Sequence, residues 1–329
     1  MAGGEPEALT LLLRKQDGVV SRKQAVAAGL SASALRHRLR PGGPWSVSLP
    51  GVYQAETGAP TQAQREIAAL LYGGPRSVLT GAAALRLYRL PAPESADVDI
   101  LIPANSRRQS IRYVKVHRTA QMPDMVYGPR HRVCAPPARA TADAVRGLTD
   151  LRAARALLAG VVQDGGCAPW QLKQELEAGP VRYSALLRSV LAEVAEGVRS
   201  APEAELRDLI RKAGLPMPLF NPRLYLPSGT FIACPDAWWP EAGVAVELES
   251  KRWHLRPDDW ERTMDRHARL SQYSIVTLHF TPHKLRTEQA FVTTKLRNAY
   301  KSGIARPRLD IKTVPVAHRA LMNVPLVSL

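Results

Sequence analysis

The segment VVSRKQAVAAGLSASALRHRLRPGG, near the N-terminus, places the tightest constraint on the fold of this chain. Serine is favoured at the N-cap of a helix, and a glycine between two helices allows a tight turn. Ser21 therefore predicts the start of one short helix, and Gly29 predicts the turn after it. Ser31 predicts the start of a second helix that runs to Arg40. Two short helices joined in this way are the layout of a helix-turn-helix.

The second helix has the composition of a recognition helix, the element that enters the major groove of DNA. Its apolar residues can pack inward, whereas Ser33, Arg36, His37 and Arg40 can project outward toward bases and phosphates. The following WSVSLPGVYQA has two β-prone runs around a Pro-Gly turn, which predicts a β-hairpin in the position of a wing. We therefore predict a winged helix-turn-helix that binds DNA through these four residues. A winged helix that docks onto a protein is the alternative.

The charge of the chain favours an acidic partner. The 329 residues carry a net charge of +16, and the sequence pI is about 10.2. Residues 1–92, 93–200 and 201–329 carry +6, +4 and +6, so no single tail holds the excess. Basic side chains spread over folded segments suit double-stranded DNA, since each contact with a phosphate releases counterions. A genome rich in G and C would also enrich arginine, so charge alone does not identify the partner.

The middle of the chain, residues 93–199, is predicted to be an α/β connector domain. Asp97 and Asp99 could form the metal pair of a nucleotidyltransferase, but the Gly-Ser pair that such enzymes place ahead of the acids is absent. We interpret the region as a connector with a basic surface. Its strand-like runs are Asp99–Ile102, Tyr113–His117 and His131–Cys134, and its helical segments are 138–165 and 169–199.

The C-terminal region contains a clustered set of acids. Glu203 lies three residues after Ser200, which predicts a capped helix start. VAVELE reads as a strand, so Glu247, Glu249 and Lys251 share one face. Asp236 ends the preceding strand and can sit beside the two glutamates. Carboxylates so placed are unfavourable unless a cation joins them.

This arrangement is a literal instance of the PD-(D/E)xK nuclease motif. The carboxylates of Asp236, Glu247 and Glu249 would hold Mg²⁺ or Mn²⁺, and the ion would activate a water and polarise the scissile phosphate. Lys251 would position that water or neutralise charge.

Two resemblances support these predictions. The run from Leu11 to Pro91, with GVVSRKQAVAAGLSASALRHRL, LPGVYQA and VLTGAAALRLYRL, resembles the N-terminal domain of AbiE-type antitoxins, which implies a winged helix on operator DNA that can repress its own operon. Residues 200–300 resemble the domain of very-short-patch-repair endonucleases. That resemblance implies metal-site acids at Glu203, Asp236, Glu247 and Glu249, and a general base or phosphate contact at His254. Asp265 and Arg266 would lie near the site.

The sequence thus predicts a multidomain α/β (α+β) protein, with a winged helix-turn-helix over 1–92, an α/β connector over 93–199, a restriction-endonuclease-like domain over 200–303 and a basic arm over 304–329. The predicted function is Mg²⁺-dependent DNA cleavage. Because Glu249-Ser250 stands where the family has Asp-Gly, a non-catalytic regulator or antitoxin with a toxin-like partner is the alternative. The chain could also form a homodimer, which the sequence neither requires nor excludes. Three distant cysteines and the lack of a signal sequence or membrane span predict a cytoplasmic protein.

Overall fold

The computed structural model describes residues 6–124, 126–127, 132–196, 198–249 and 268–315. The chain is mixed α/β and forms two compact units. Unit 1 comprises residues 1–149, 160–167 and 175–184, and unit 2 the remainder. Predicted segments 200–303 and 304–329 thus fall in unit 2. Among the described helices, none is long and apolar enough to cross a membrane.

The first part of unit 1 contains the predicted pair of capped helices. The Ser21 side chain accepts the backbone N–H of Gln24, and the Gln24 side chain accepts the backbone N–H of Ser21. The Ser31 side chain accepts the backbone N–H of Ala34 and so caps the next helix. The antiparallel sheet has the order β1-β3-β2, and the Pro-Gly turn joins its last two strands. The elements are α1 (Glu7–Lys15), β1 (Val19–Ser21), α2 (Arg22–Ala27), α3 (Ala32–Arg38), β2 (Ser46–Leu49) and β3 (Val52–Gln54).

A five-stranded sheet of order β6-β5-β4-β8-β7 forms the second part of unit 1. The strands predicted from the connector are present as β5, β6 and β8, whereas β4 comes from residues before 93 and pairs with both β5 and β8. The elements are α4 (Gln62–Gly73), β4 (Val78–Leu79), α5 (Gly81–Leu87), β5 (Val98–Pro103), β6 (Val114–Thr119), β7 (Val126–Tyr127), β8 (Val133–Cys134) and α6 (Pro137–Arg146).

The segments predicted to be helical, 138–165 and 169–199, are helical in the structure, and each is divided into two helices. The first breaks after Gly147, and Asp150 starts the next helix by accepting the backbone N–H of Ala153 at 2.8 Å. The second breaks at Gly179-Pro180, where proline cannot continue a helix. The helices after α6 are α7 (Leu151–Gln163), α8 (Pro169–Ala178) and α9 (Ala185–Ala195).

Unit 2 is built on a four-stranded sheet of order β14-β13-β12-β9. Its two faces are both covered: Trp239 packs in one apolar cluster and Trp238 in the other, since neighbouring strand residues point to opposite faces. The elements are α10 (Ala201–Lys212), β9 (Leu219–Phe220), β10 (Arg223–Tyr225), β11 (Phe231–Ala233), β12 (Ala237–Trp239), β13 (Val244–Leu248), β14 (Val276–Phe280), α11 (Pro282–Thr287), α12 (Gln289–Ile304) and β15 (Lys312–Val314).

Two sequence predictions in unit 2 have different outcomes. The apolar run IVTLHF over Ile275–Phe280 predicts a buried strand, and this prediction is confirmed as β14. The segment Pro257–Leu270 predicts a helix that starts with two aspartates, and most of it lies outside the described residues. Lys312–Val314 lies in the segment predicted to be a basic arm. These residues form β15, which pairs with β10, so this part of the segment belongs to a sheet of unit 2.

Candidate functional site

The sheet of unit 2 brings two of the predicted acids together at one edge. β12 and β13 run antiparallel, with Ala237 opposite Val246. Asp236 immediately precedes Ala237, and Glu247 immediately follows Val246, so the same register places the two acids next to each other. The Asp236 carboxylate accepts the backbone N–H of Leu248 at 2.6 Å, which fixes it against β13. Glu247 is buried at this point.

Glu203 lies close to this pair, on the first turn of α10. Ser200 is the N-cap, as predicted, and the buried Glu203 carboxylate accepts hydrogen bonds from the Ser200 hydroxyl at 2.8 Å and the Arg199 backbone N–H at 2.8 Å. The Asn221 side-chain amide donates a third hydrogen bond to it at 2.6 Å. The backbone N–H of Asn221 in turn donates to the carbonyl oxygen of Asp236 at 3.1 Å. Asn221 therefore connects Glu203 with Asp236.

The electrostatics of Glu203 reflect its neighbours. Burial raises the pKa of Glu203, and the negative charge of Asp236 raises it further, whereas the hydrogen bonds from Arg199, Asn221 and Ser200 oppose the rise. A nearby cation would remove the unfavourable interaction between the two carboxylates and lower this pKa. The arrangement therefore favours positive charge next to Asp236.

Glu249 lies just beyond β13 and contacts a residue that sequence reasoning left out. β13 and β14 are parallel, with Glu247 opposite His279, and His279 Nδ1 lies 3.0 Å from Glu249 Oε1. A lone histidine at a strand end is usually structural, so the sequence by itself gives no reason to place His279 in the site. Only the parallel pairing of two strands about 30 residues apart reveals its position beside the acids, and no local sequence signal carries that information.

Asn221 and Cys234 are two further side chains of the site that the sequence analysis did not predict. Asn221 is buried and has a left-handed backbone with φ of 52°, a conformation that asparagine tolerates better than most residues. Its place before Pro222 was the available signal of a turn. Burial raises the pKa of the Cys234 thiol, and the charges of Asp236 and Glu247 contribute to the rise. The three cysteines are not joined by disulfides in the structure.

The carboxylates suit a hard cation, but they do not form a closed cage. In the described ranges, no three Asp, Glu, His or Cys side chains converge as a metal-binding group. Mg²⁺ is often held by only one or two carboxylates together with waters and substrate phosphates. Asp236 and Glu247 fit that mode. Glu203 fits less well as a direct ligand, because three hydrogen bonds occupy most of the roughly four acceptor positions of a carboxylate.

The remaining predicted catalytic residues, Lys251 and His254, lie outside the described residues, as do Asp265 and Arg266. The structure therefore places Asp236 next to Glu247, connects Glu203 with Asp236 through Asn221, and places Glu249 beside His279.

The predicted DNA-binding residues of unit 1 lie on and just after α3. Ser33, Arg36, His37 and Arg40 are all exposed, whereas Leu35 is buried in the apolar cluster beneath the helix. Arg40 lies two residues past the end of α3, and its guanidinium is 3.3 Å from His37 Nδ1. Ser33 is hydrogen-bonded to the Ser31 hydroxyl at 3.0 Å. Three cationic or polar side chains thus project from one short helix ahead of the β2–β3 hairpin.

Comparison with known proteins gives a distant relationship only. No protein-family model matches the sequence. The chain is similar to an uncharacterised protein of Mycobacterium tuberculosis, found in strains CDC 1551 and H37Rv, with 26% identity over 223 residues. The aligned part covers 68% of this chain and 80% of the relative.

Proposed function

We propose that this protein binds double-stranded DNA through its N-terminal segment and hydrolyses phosphodiester bonds with Mg²⁺ or Mn²⁺ at the site in unit 2. The observation that carries the proposal is the meeting of Asp236 and Glu247 at one end of β12 and β13, with the buried Glu203 nearby. In a chain with a net charge of +16, such a local concentration of acids is an exception to the general composition. A cation that binds both to these acids and to a DNA phosphate would account for their concentration at one place.

Each residue of the site has a distinct part in this proposal. Asp236 and Glu247 bind the cation, and Glu249 adds an oxygen ligand or orients His279. Glu203 acts as a positioning residue through Asn221, whose backbone N–H holds the carbonyl of Asp236. When bound, the ion lowers the pKa of a water and stabilises charge on the phosphate. Lys251 and His254 remain proposed partners for that water or phosphate.

The N-terminal segment supports the DNA-binding half of the proposal. Its order of elements, three helices with β1 between the first two and a hairpin after the third, supports the proposal of a winged helix. Ser33, Arg36, His37 and Arg40 are exposed ahead of the hairpin, where a recognition helix presents its side chains to the major groove. Small polar residues reach base edges, and arginine reaches guanine or phosphate.

A non-catalytic regulator or antitoxin is the second candidate function. It is favoured by the absence of a closed metal-binding group among the described residues and by Glu249-Ser250 in place of Asp-Gly. In that case unit 2 would serve as a binding module, for example for a toxin-like partner, while DNA binding by unit 1 would be retained.

A cleavage assay separates the two functions. The full chain is incubated with supercoiled plasmid in Mg²⁺ or Mn²⁺, beside Asp236→Asn and Glu247→Gln. Asparagine keeps an oxygen that can accept the N–H of Leu248, so the fold is preserved while the charge is lost. Glu241→Gln is the matched control, because Glu241 is an exposed acid between the same two strands. We expect both site variants to lose about 100-fold or more in nicking rate, as removal of a group that stabilises transition-state charge costs on that order.

Equal nicking by the wild type and both site variants would refute the assignment of the site. Absence of metal-dependent nicking in the wild type, together with retained DNA binding, would favour the regulator.

A further inference from the structure

A cleft in unit 1 is separate from both parts of the proposed function. It has a volume of about 730 Å³ and lies between β5, β6, α6 and the segment that follows Gly179. Ligand pockets for small molecules typically measure about 300–1,000 Å³. The cleft therefore has room for a molecule with the size of a nucleotide.

The floor of the cleft is a fixed polar network. The Thr80 hydroxyl donates to Asp143 at 2.7 Å, and Arg139 and Arg146 each hold the same carboxylate at 2.9 Å. Arg146 also donates to the backbone carbonyl of Glu175 at 3.0 Å. The two guanidinium groups more than compensate the charge of Asp143, and the contacts hold these side chains in place without a ligand.

One wall presents cations on a single face of β6. Lys115 and His117 are two residues apart, and strand geometry points both side chains to the same side. Lys115 lies 3.6 Å from Asp97, and His117 Nε2 lies 2.7 Å from Asp99, yet the side chains of Lys115 and His117 are 50% and 52% exposed. The hydrogen bond with Asp99 raises the pKa of His117, which favours its cationic form. This wall can therefore contact an anionic group.

An aromatic ring also lines the cleft. Tyr183 is 65% exposed, lines the cleft and has a φ of 62°, a strained conformation for a residue that is not glycine. The next residue, Ser184, is fully buried, and its hydroxyl donates a hydrogen bond to the carbonyl oxygen of Pro180 at 2.5 Å. This contact stabilises the backbone conformation of Tyr183. The guanidinium of Arg182 lies 4.8 Å from the centre of the Tyr183 ring. A strained backbone thus presents an aromatic ring and a cation to solvent.

We propose that this cleft binds a nucleotide, with the base stacked on Tyr183 and the phosphate held by Lys115 and His117. The ligand is a free mononucleotide or one nucleotide unit of single-stranded DNA, because both offer the same base and phosphate. Aromatic rings that bind bases, beside cations that bind phosphate, are the common device for nucleic-acid units outside a duplex. The proposal does not depend on cleavage of DNA by unit 2.

Calorimetric titration of the full chain tests the proposal, with AMP, adenosine, inorganic phosphate and hexadeoxyadenylate as probes. We expect AMP or hexadeoxyadenylate to bind. Tighter binding of AMP would identify the ligand as a free mononucleotide, and tighter binding of hexadeoxyadenylate would identify it as a unit of single-stranded DNA. Tyr183→Ala is expected to weaken binding roughly tenfold or more, the range found when a stacking ring is removed. Tyr183→Trp is expected to retain binding. Lys115→Ala should weaken AMP but leave adenosine unchanged.

Two controls separate this site from others. Phe231→Ala removes an exposed ring from unit 2 and should leave binding unchanged, and Glu241→Gln, which removes an exposed acid of the same unit, should do the same. Because Tyr183 is exposed, its variants are expected to keep the thermal stability of the wild type. The proposal is overturned if no probe with a base binds at millimolar concentration, if inorganic phosphate alone binds as well as AMP, or if Tyr183→Ala binds as tightly as the wild type.

Discussion

Arg155 joins three helices of the chain through buried ion pairs, and its replacement tests how the helix that carries Glu203 is held. Its guanidinium donates to Glu193 on α9 at 2.8 and 2.5 Å and to Asp208 on α10 at 2.6 Å. Burial opposes the charge of Arg155, but the hydrogen bonds to Glu193 and Asp208 keep its pKa above the ordinary value. The pair with Glu193 is shielded from water, since the two side chains are 7% and 5% exposed.

The expected cost of Arg155→Met follows from these exposures. Glu193 would keep a buried charge, and the guanidinium of Arg207 lies 4.0 Å from its carboxylate, too far to replace the lost hydrogen bonds. Removal of one partner from a buried ion pair costs about 3–5 kcal/mol. The pair with Asp208, whose side chain is 33% exposed, adds at most about 1 kcal/mol. We therefore expect the free energy of unfolding to fall by about 3–6 kcal/mol.

Urea unfolding followed by tryptophan fluorescence measures this change, because Trp238 and Trp239 are fully buried in the same unit. The double variant Arg155→Met, Glu193→Leu removes both charges and should lie within about 1 kcal/mol of the wild type. Arg152→Met is the matched control: its pair with Glu205 is 2.8 Å long, but the arginine is 56% exposed, so the loss should stay below about 1 kcal/mol. A loss below 1 kcal/mol for Arg155→Met, or a double variant as unstable as the single one, would refute the reasoning.

Two further predictions concern unit 1. Arg36→Ala and Arg40→Ala should each weaken DNA binding in a gel shift and reduce the salt dependence of the affinity by about one counterion. Arg188→Ala, which removes an exposed arginine of α9, is the control and should change neither. Undiminished binding by the α3 variants would remove α3 from the interface. The hydrogen bond with Asp99 raises the pKa of His117 in the folded state, so protonated His117 stabilises the fold. This stabilisation is complete at a pH below the unfolded pKa of about 6.5, and it is lost as the pH rises through the higher folded pKa. Thermal unfolding of wild type and His117→Gln between acidic and alkaline pH should show that dependence in the wild type only, and an identical profile would contradict it.

Local signals in the sequence predicted local structure well. Ser21, Ser31 and Ser200 cap helices in the structure as expected, because a serine side chain bonds to a backbone N–H only three residues away. The Pro-Gly turn likewise joins two adjacent strands. Such contacts are encoded within a few residues and need no knowledge of the rest of the chain.

The parts of the site that could not be predicted depend on pairing between distant residues. His279 reaches Glu249 only because β14 lies parallel to β13, and sequence alone does not specify which strands are neighbours. Asn221 contacts Glu203 across 18 residues. The adjacency of Asp236 and Glu247 was predictable, since an antiparallel pair with a short connection has few alternatives for its register.

The pairing of β15 with β10 has a consequence for the order in which unit 2 folds. Thr313 lies opposite Leu224, and its hydroxyl accepts the indole N–H of Trp238 at 3.1 Å. During synthesis, the strand that carries Leu224 emerges from the ribosome almost 90 residues before its partner. Contacts of such long range form slowly and late. The sheet of β11, β10 and β15 is thus completed only after residue 314 has been synthesised, so the addition of β15 is a late step in the folding of unit 2.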